Sequence, residues 1–157
     1  MQHQHHGHGA QRPSLTRLAW SATLHCLTGC AIGEVLGMVI GTALGWSNAA
    51  TIVLAVALAF LFGYLLTALP LLKAQLGTAA ALRLALASDT ASITIMEIVD
   101  NGIMLVIPGA MEAGLDSLLF WGSLAVSLAI AAAAAFPVNR WLISRGRGHA
   151  VVHAHHH

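Results

Sequence analysis

Long apolar stretches separated by short polar segments run through most of the chain. Four of these stretches contain the twenty or so residues that a helix needs to cross the hydrocarbon core of a bilayer. They lie at about 18–46, 50–72, 83–107 and 117–142. Trp20 and Trp46 flank the first stretch, and Trp121 and Trp141 flank the fourth, as is typical of side chains at a membrane interface. The pattern predicts an all-α protein, a four-helix transmembrane bundle.

Composition supports a membrane environment and excludes several classes of function. Hydrophobic residues make up 57% of the 157 residues and charged residues only 8%, whereas a soluble domain carries about 25% charged residues. The net charge of +1 provides no basic surface for nucleic acid. The sequence contains no Ser-His-Asp pattern, phosphate loop or nucleotide fingerprint. We therefore expect a protein that is not an enzyme and whose main partner is the lipid bilayer.

The basic residues predict how the bundle is oriented. All seven fall on one side of the predicted membrane: Arg12, Arg17, Lys73, Arg83, Arg140, Arg145 and Arg147. The positive-inside rule places that side, and with it both termini, in the cytoplasm. We divide the chain into a His-rich tail at 1–14, a four-span domain at 15–147 and a second His-rich tail at 148–157.

Glycines form a stripe along the first span. They recur every fourth residue at Gly29, Gly33, Gly37, Gly41 and Gly45. Residues at this spacing share one face of a helix, and small residues there allow another membrane helix to approach closely. The partner is either the third span or a second subunit, and we expect a homo-oligomer held through this stripe.

Polar and sulfur-containing residues form a second row on the first span. This row contains Cys26, Cys30, Glu34, Met38 and Thr42, with His25 at the cytoplasmic end of the glycine row. The third span carries a matching set, Asp89, Met96, Glu97, Asp100 and Met104. The second and fourth spans contain little polar chemistry and are interpreted as scaffold.

The two sets are predicted to meet inside the bundle. The first and third spans run in the same direction, so residues at equal distances from their starts lie at similar depths. This comparison places Glu34 near Glu97 and Asp100. By the same reasoning Cys26 lies near Asp89, and Met38 lies near Met104.

Acidic residues in a membrane span require an explanation because hydrocarbon rejects their charge. Glu34, Asp89, Glu97 and Asp100 would together cost on the order of 10 kcal/mol if they faced lipid. Each must be protonated, hydrated, paired or bound to a cation. Thiolate and thioether ligands favour soft metals such as Cu(I), and imidazole suits copper or zinc.

The leading hypothesis is therefore a membrane protein that binds or conducts a transition-metal cation along the interface of the first and third spans. Its candidate ligands are His25, Cys26, Cys30, Glu34, Met38, Asp89, Met96, Glu97, Asp100 and Met104. A bound metal is the only cofactor that the sequence suggests, and none is certain.

Three alternatives stay open. The polar core is neutral and only specifies helix packing, in a structural or assembly protein. Glu34 and Glu97 exchange protons in a transporter of a small solute. Cys26 and Cys30 form a thiol pair that responds to oxidation, although cysteines one helical turn apart are unfavourably placed for an unstrained disulfide.

The ends of the chain and the loop after the third span add two further candidates. Nine of the ten histidines lie in the tails, which favours metal capture there, although remnants of an expression tag would have a similar composition. Pro108 and Gly109 are predicted to end the third helix. Met111, Glu112 and Asp116 then follow in a loop that we interpret as a solvated turn, with cation gathering as the alternative.

Three segments carry a resemblance to a known family. They are TLHCLTGCAIGEVLGMVIG (23–41), EIVDNGIMLVIPGAM (97–111) and NRWLISRGRGHAVVHA (139–154). Together they resemble the domain-of-unknown-function family numbered 4396, whose members are small, mostly bacterial, four-helix membrane proteins. The resemblance implies a four-span fold and an inner (plasma) membrane location. It implies no activity and no functional residues.

Overall fold

The structure of the protein, a computed structural model, describes residues 14–73, 75 and 77–145. It contains four helices: α1 (Leu15–Ala43), α2 (Asn48–Lys73), α3 (Thr78–Val106) and α4 (Leu118–Ser144). Each is long and apolar enough to cross a membrane. The described part of the chain has no β-strand. The predicted all-α four-helix transmembrane bundle is therefore confirmed, whereas the cytoplasmic location of the termini stays a prediction.

The helices run alternately up and down around a common core. α1 packs beside α2 and α4, and α3 packs beside the same two helices. α1 and α3 therefore lie diagonally opposite each other and point in the same direction. They contact each other less than they contact α2 and α4, and side chains on their facing sides are shielded from lipid by those two helices.

The end of α1 departs from the prediction. We expected a helix as far as Trp46, but it ends at Ala43 because Gly45 adopts a left-handed conformation with φ of 66°. The Gly45 N–H donates to Thr42 O at 3.1 Å, and the Trp46 N–H donates to Gly41 O at 2.9 Å. These two bonds satisfy carbonyls that the last turn would otherwise leave unpaired.

The third helix begins earlier than predicted and ends as predicted. It starts at Thr78 rather than at 83, because the alanine- and leucine-rich segment before Arg83 has high helix propensity. It ends at Val106, just before Pro108 and Gly109, and Gly109 has a φ of 77°. The proline ring and the left-handed glycine redirect the chain into the loop that leads to α4.

The glycine stripe packs against α2 of the same chain. A Cβ atom at Gly29 would lie 2.7 Å from the Cα atom of Gly63, and one at Gly33 would meet the backbone of Ala59. Gly37 and Gly41 similarly abut Ala55 and Thr51. Because α2 already occupies this face, both partners predicted for the stripe, the third span and a second subunit, are wrong. Gly45 does not belong to the stripe, since it lies in the turn with no atom near its Cβ position.

The outer surface is apolar, as a lipid-facing surface should be. Exposed side chains include Val53, Ile98, Val106 and Leu118 on the outer faces of α2, α3 and α4. All four tryptophans are also partly exposed near the helix ends, which fits the predicted interfacial positions. The His-rich tails lie outside the described residues, apart from Ser14 at the N-terminal side.

Candidate functional site

Four acidic side chains lie inside the bundle. Glu34 is 4% exposed, Glu97 5%, Asp100 2% and Asp89 0%. Every lysine and arginine that the structure describes is exposed, so the basic residues remain at the protein surface. The predicted interior position of the four acids is confirmed.

These acids and the residues around them form a continuous polar path, which we call the α1–α3 seam. It consists of Cys26, Cys30 and Glu34 on α1 and Asp89, Ser92, Glu97 and Asp100 on α3, all of them buried. Regular spacing along two parallel helices produces this arrangement, because residues three or four apart share a helix face. Three levels follow one another along the bundle axis: two within the seam and a third, of methionines, at its end.

The central level brings two carboxyl groups into contact. Glu34 and Asp100 face each other within hydrogen-bonding reach, and Glu97 lies nearby. The Ser127 hydroxyl of α4 donates to Asp100 Oδ1 at 2.5 Å. Glu34 Oε2 is buried without a hydrogen-bond partner. Two carboxyl groups this close are not both stable as bare anions, so the pair must share a proton or a cation.

Glu97 connects the central level to the thiols. Its Oε2 atom accepts a hydrogen bond from Asn101 Nδ2 at 3.3 Å, and Asn101 also donates to the Glu97 backbone carbonyl at 3.0 Å. Cys30 also lies within hydrogen-bonding reach of Glu97. The carboxyl of Glu97 therefore has both an amide and a thiol as neighbours.

The level nearer the chain termini contains the second thiol. Cys26 lies beside Asp89 and Ser92, and Ser88 Oγ donates to Asp89 Oδ1 at 2.7 Å. Both cysteines are buried and free. The predicted proximity of Cys26 to Asp89, and of Glu34 to Glu97 and Asp100, is confirmed.

Polar residues of α2 and α4 complete this level. Thr67 of α2 bonds His25 Nε2 at 3.0 Å, and Asn139 Nδ2 of α4 donates to Thr23 Oγ1 at 2.9 Å. The interpretation of α2 and α4 as mere scaffold is therefore incomplete, since Ser127 and these residues bond to polar groups in the interior. A signal was present in α4: Ser127 and Asn139 lie twelve residues apart, in register with a four-residue repeat of small buried side chains.

The third level contains methionines. Met38 and Met111 pack against the cluster of Met104, Phe120 and Leu124, which confirms the predicted proximity of Met38 to Met104. A small cavity of about 20 Å³ opens here, large enough for one water molecule. Its lining includes Glu34, Met38, Asp100, Asn101, Met104 and Met111.

The remaining predicted positions lie outside these contacts or at other levels. Thr42 is exposed, so the polar row of α1 does not continue to its end. Met96, one of the candidate ligands, is buried with Cys26, Cys30 and Ile93. Glu112 and Asp116 are exposed in the loop, as a solvated turn requires, whereas Met111 is half-buried.

The ten predicted ligands do not form one metal site. Within residues 14–73, 75 and 77–145, no three His, Cys, Asp or Glu side chains converge as ligands of one ion. They lie instead at successive levels: thiols at one level, paired acids at the next, and thioethers beside a cavity at the third. Such an arrangement suits a series of weak contacts along an axis better than a single closed centre.

Comparisons with known proteins identify the family. The family model described as "Domain of unknown function (DUF4396)" matches residues 17–148, so the chain belongs to this family and the resemblance seen in the sequence is confirmed. No curated protein and no solved structure gives a significant match to this chain.

Proposed function

We propose that this member of the DUF4396 family binds a transition-metal cation inside a bacterial inner membrane and passes it along the α1–α3 seam. The observation that carries the proposal is the contact between Glu34 and Asp100 at the bundle centre. Thiols lie on one side of this pair and thioethers on the other. Sulfur ligands select soft ions, and carboxylates provide the negative charge that an ion needs in a low-dielectric interior.

The levels of the seam provide different ligands to a moving ion. Cys26 and Cys30 share a face of α1 one turn apart and are both 1% exposed. Cys30 contacts Glu97, and Glu97 lies close to Glu34. An ion that leaves the thiols therefore meets carboxylates within one or two helical turns. Because each level offers few ligands, a bound ion should pass from one level to the next rather than stay permanently at one of them.

Metal binding by the thiols is the first test. The full-length protein is purified without a metal-affinity column and titrated with Cu(I) under reducing conditions. Cys26→Ser combined with Cys30→Ser should bind about one ion fewer per chain than the unchanged protein, because hydroxyls are poor ligands for soft ions. Thr28→Ser is the matched control, since Thr28 lies between the cysteines in the sequence but is exposed. Equal stoichiometry and affinity in all three proteins would remove the thiols from the proposal.

Proton-linked transport of a small solute is the second candidate, and a specific observation favours it. Glu34 and Asp100 lie in contact with no third His, Cys or acidic ligand among the described residues that would complete a metal site. A shared proton would stabilise this pair as well as a metal would. Solute flux into liposomes that follows a pH gradient and is lost in Glu34→Gln would support this candidate. Flux that depends on Cu(I) and ignores the pH gradient would support the metal.

A further inference from the structure

We infer that the cavity bordered by Met38, Met104 and Met111 binds a single soft monovalent cation of the Cu(I) or Ag(I) class. We call this the thioether cavity. The inference rests on the proposed function and assigns it a specific site, with a ligand, Met111, that comes from the loop between α3 and α4. The cavity lies at the end of the α1–α3 seam that is farthest from the chain termini.

The first argument is the composition of the lining. Three thioethers from α1, α3 and the loop border a space of about 20 Å³, the size of one water molecule. Methionine is usually an adaptable filler of hydrophobic cores. A filler role predicts that the side chains close the space, whereas these three methionines border a space that stays open. Thioether sulfur is a neutral, soft donor that selects Cu(I) over hard divalent ions.

The second argument is a buried carboxylate oxygen without a partner. Glu34 borders the cavity, is only 4% exposed, and its Oε2 atom makes no hydrogen bond. Asp100 also borders the cavity but accepts a hydrogen bond from Ser127. Of the two carboxyl groups that border the cavity, Glu34 is therefore the one with a buried oxygen that makes no hydrogen bond. One carboxylate with neutral sulfur ligands balances the charge of a monovalent ion.

The third argument is the way in which Met111 is held. Ala110, the preceding residue, is 0% exposed and packs in the same cluster as Met104 and Phe120. On the other side, Asn48 Nδ2 of α2 donates to Glu112 Oε1 at 3.3 Å. Met111 is thus flanked by a buried residue and by a residue whose side chain bonds to α2, and its own side chain packs against the core. A solvated turn alone does not require this inward methionine.

A silver titration of the full-length protein tests the site. Ag(I) is used because it is soft, monovalent and stable to oxidation, and the titration is read by elemental analysis after gel filtration. Met104→Leu and Met111→Leu should each bind about one ion fewer per chain than the unchanged protein. Leu105→Ile is the matched control, because Leu105 lies next to Met104 on the same helix but is 63% exposed. Its stoichiometry should equal that of the unchanged protein.

The unchanged protein and all variants carry the same histidine tails. Differences in the number of bound silver ions between them therefore report the cavity alone. Leucine has nearly the volume of methionine, and such swaps are well tolerated in cores. Silver X-ray absorption of the unchanged protein and of Met111→Leu provides a second reading. Fewer sulfur neighbours in Met111→Leu than in the unchanged protein support the site, whereas an equal number, or nitrogen and oxygen neighbours alone, would overturn it.

The outcomes separate this inference from the proposed function. If the methionine variants keep every ion while the double cysteine variant loses one, the thioether cavity is refuted and metal binding by the thiols stands. If the methionine variants lose the ion but liposomes containing the unchanged protein show no metal flux, the cavity stands and conduction falls. Loss of the same ion in Leu105→Ile would also refute the cavity as the specific site.

Discussion

The hydrogen bonding of Asp100 depends on α4, a helix whose buried residues include no charged side chain. Its carboxyl faces Glu34 of α1 and accepts a hydrogen bond from Ser127 of α4. The hydroxyl is the only polar group that α4 presents to the pair among the bonds that the described residues make. Its removal should therefore affect the acids directly.

Ser127→Ala is predicted to destabilise the protein by about 1–3 kcal/mol, because a buried carboxyl loses a hydrogen-bond donor. Thermal unfolding in detergent measures the effect. Ser123→Ala is the control. Ser123 lies one turn earlier on α4 and is also buried, with 6% exposure against 0% for Ser127, but it does not bond Asp100. Equal stability of the two variants would show that the Ser127–Asp100 bond contributes nothing.

At the residue scale, the sequence predicted the burial of side chains well. It predicted their hydrogen-bond partners less well. The four-residue spacing of Cys26, Cys30 and Glu34 requires a common face, and the cost of charge in lipid requires that this face be interior. Neither argument identifies Ser127. A serine in an apolar helix commonly bonds its own backbone, and its partner here depends on how α4 is rotated, which periodicity alone does not determine.

The contact between α1 and α2 sets the position of the seam at the scale of elements. Glycines of α1 meet small residues of α2 so closely that the two backbones touch, as at Gly29 and Gly63. The row of Cys26, Cys30 and Glu34 lies one residue further around the helix, about 100° away. Tight packing of the glycine face against α2 therefore rotates the polar row toward the bundle centre and α3.

Gly33→Ala should separate α1 from α2, because its Cβ atom would collide with the backbone of Ala59. Overpacking of this kind costs about 1–3 kcal/mol. Unfolding in detergent should show this loss. Gly102→Ala, on α3, is the matched control, since nothing lies near its Cβ position and alanine has the higher helix propensity. If Gly33→Ala were as stable as Gly102→Ala, the close packing of α1 and α2 would be refuted.

The stripe predicted a close helix contact but not its partner. Small residues at i+4 require only that another backbone approaches, and α2, α3 or a second subunit meets that requirement equally. The choice of α2 follows from the short turn at Gly45, which returns the chain antiparallel and adjacent to α1. A matching row in α2, at Ala55, Ala59 and Gly63, is the signal that favoured this neighbour.

The molecule as a whole places its chemistry on the diagonal between α1 and α3, while α2 and α4 separate that diagonal from lipid. The start of α1 and the end of α4 pack together, through Ala19, Ala22 and Ile143. The basic residues that the structure describes lie toward this same end. Both features follow from an even number of antiparallel spans, which the hydrophobic pattern predicted.

The orientation of the whole bundle is testable with a reporter. All seven basic residues lie on one predicted side, so the positive-inside rule predicts that both termini are cytoplasmic. A green fluorescent protein fused to the C-terminus should fluoresce, and an alkaline phosphatase fused at the same point should be inactive. An active phosphatase with a dark fluorescent fusion would place the basic end outside and reverse the direction of the seam.

The most direct measurement is the position of a bound ion in crystals of the full-length protein grown with Ag(I), located by anomalous diffraction at the silver edge. We predict a peak inside the bundle between α1 and α3, beside Glu34 and the sulfurs of Met38 and Met104. Peaks confined to the histidine tails, with none inside the bundle at saturating silver, would contradict a metal function for the α1–α3 seam.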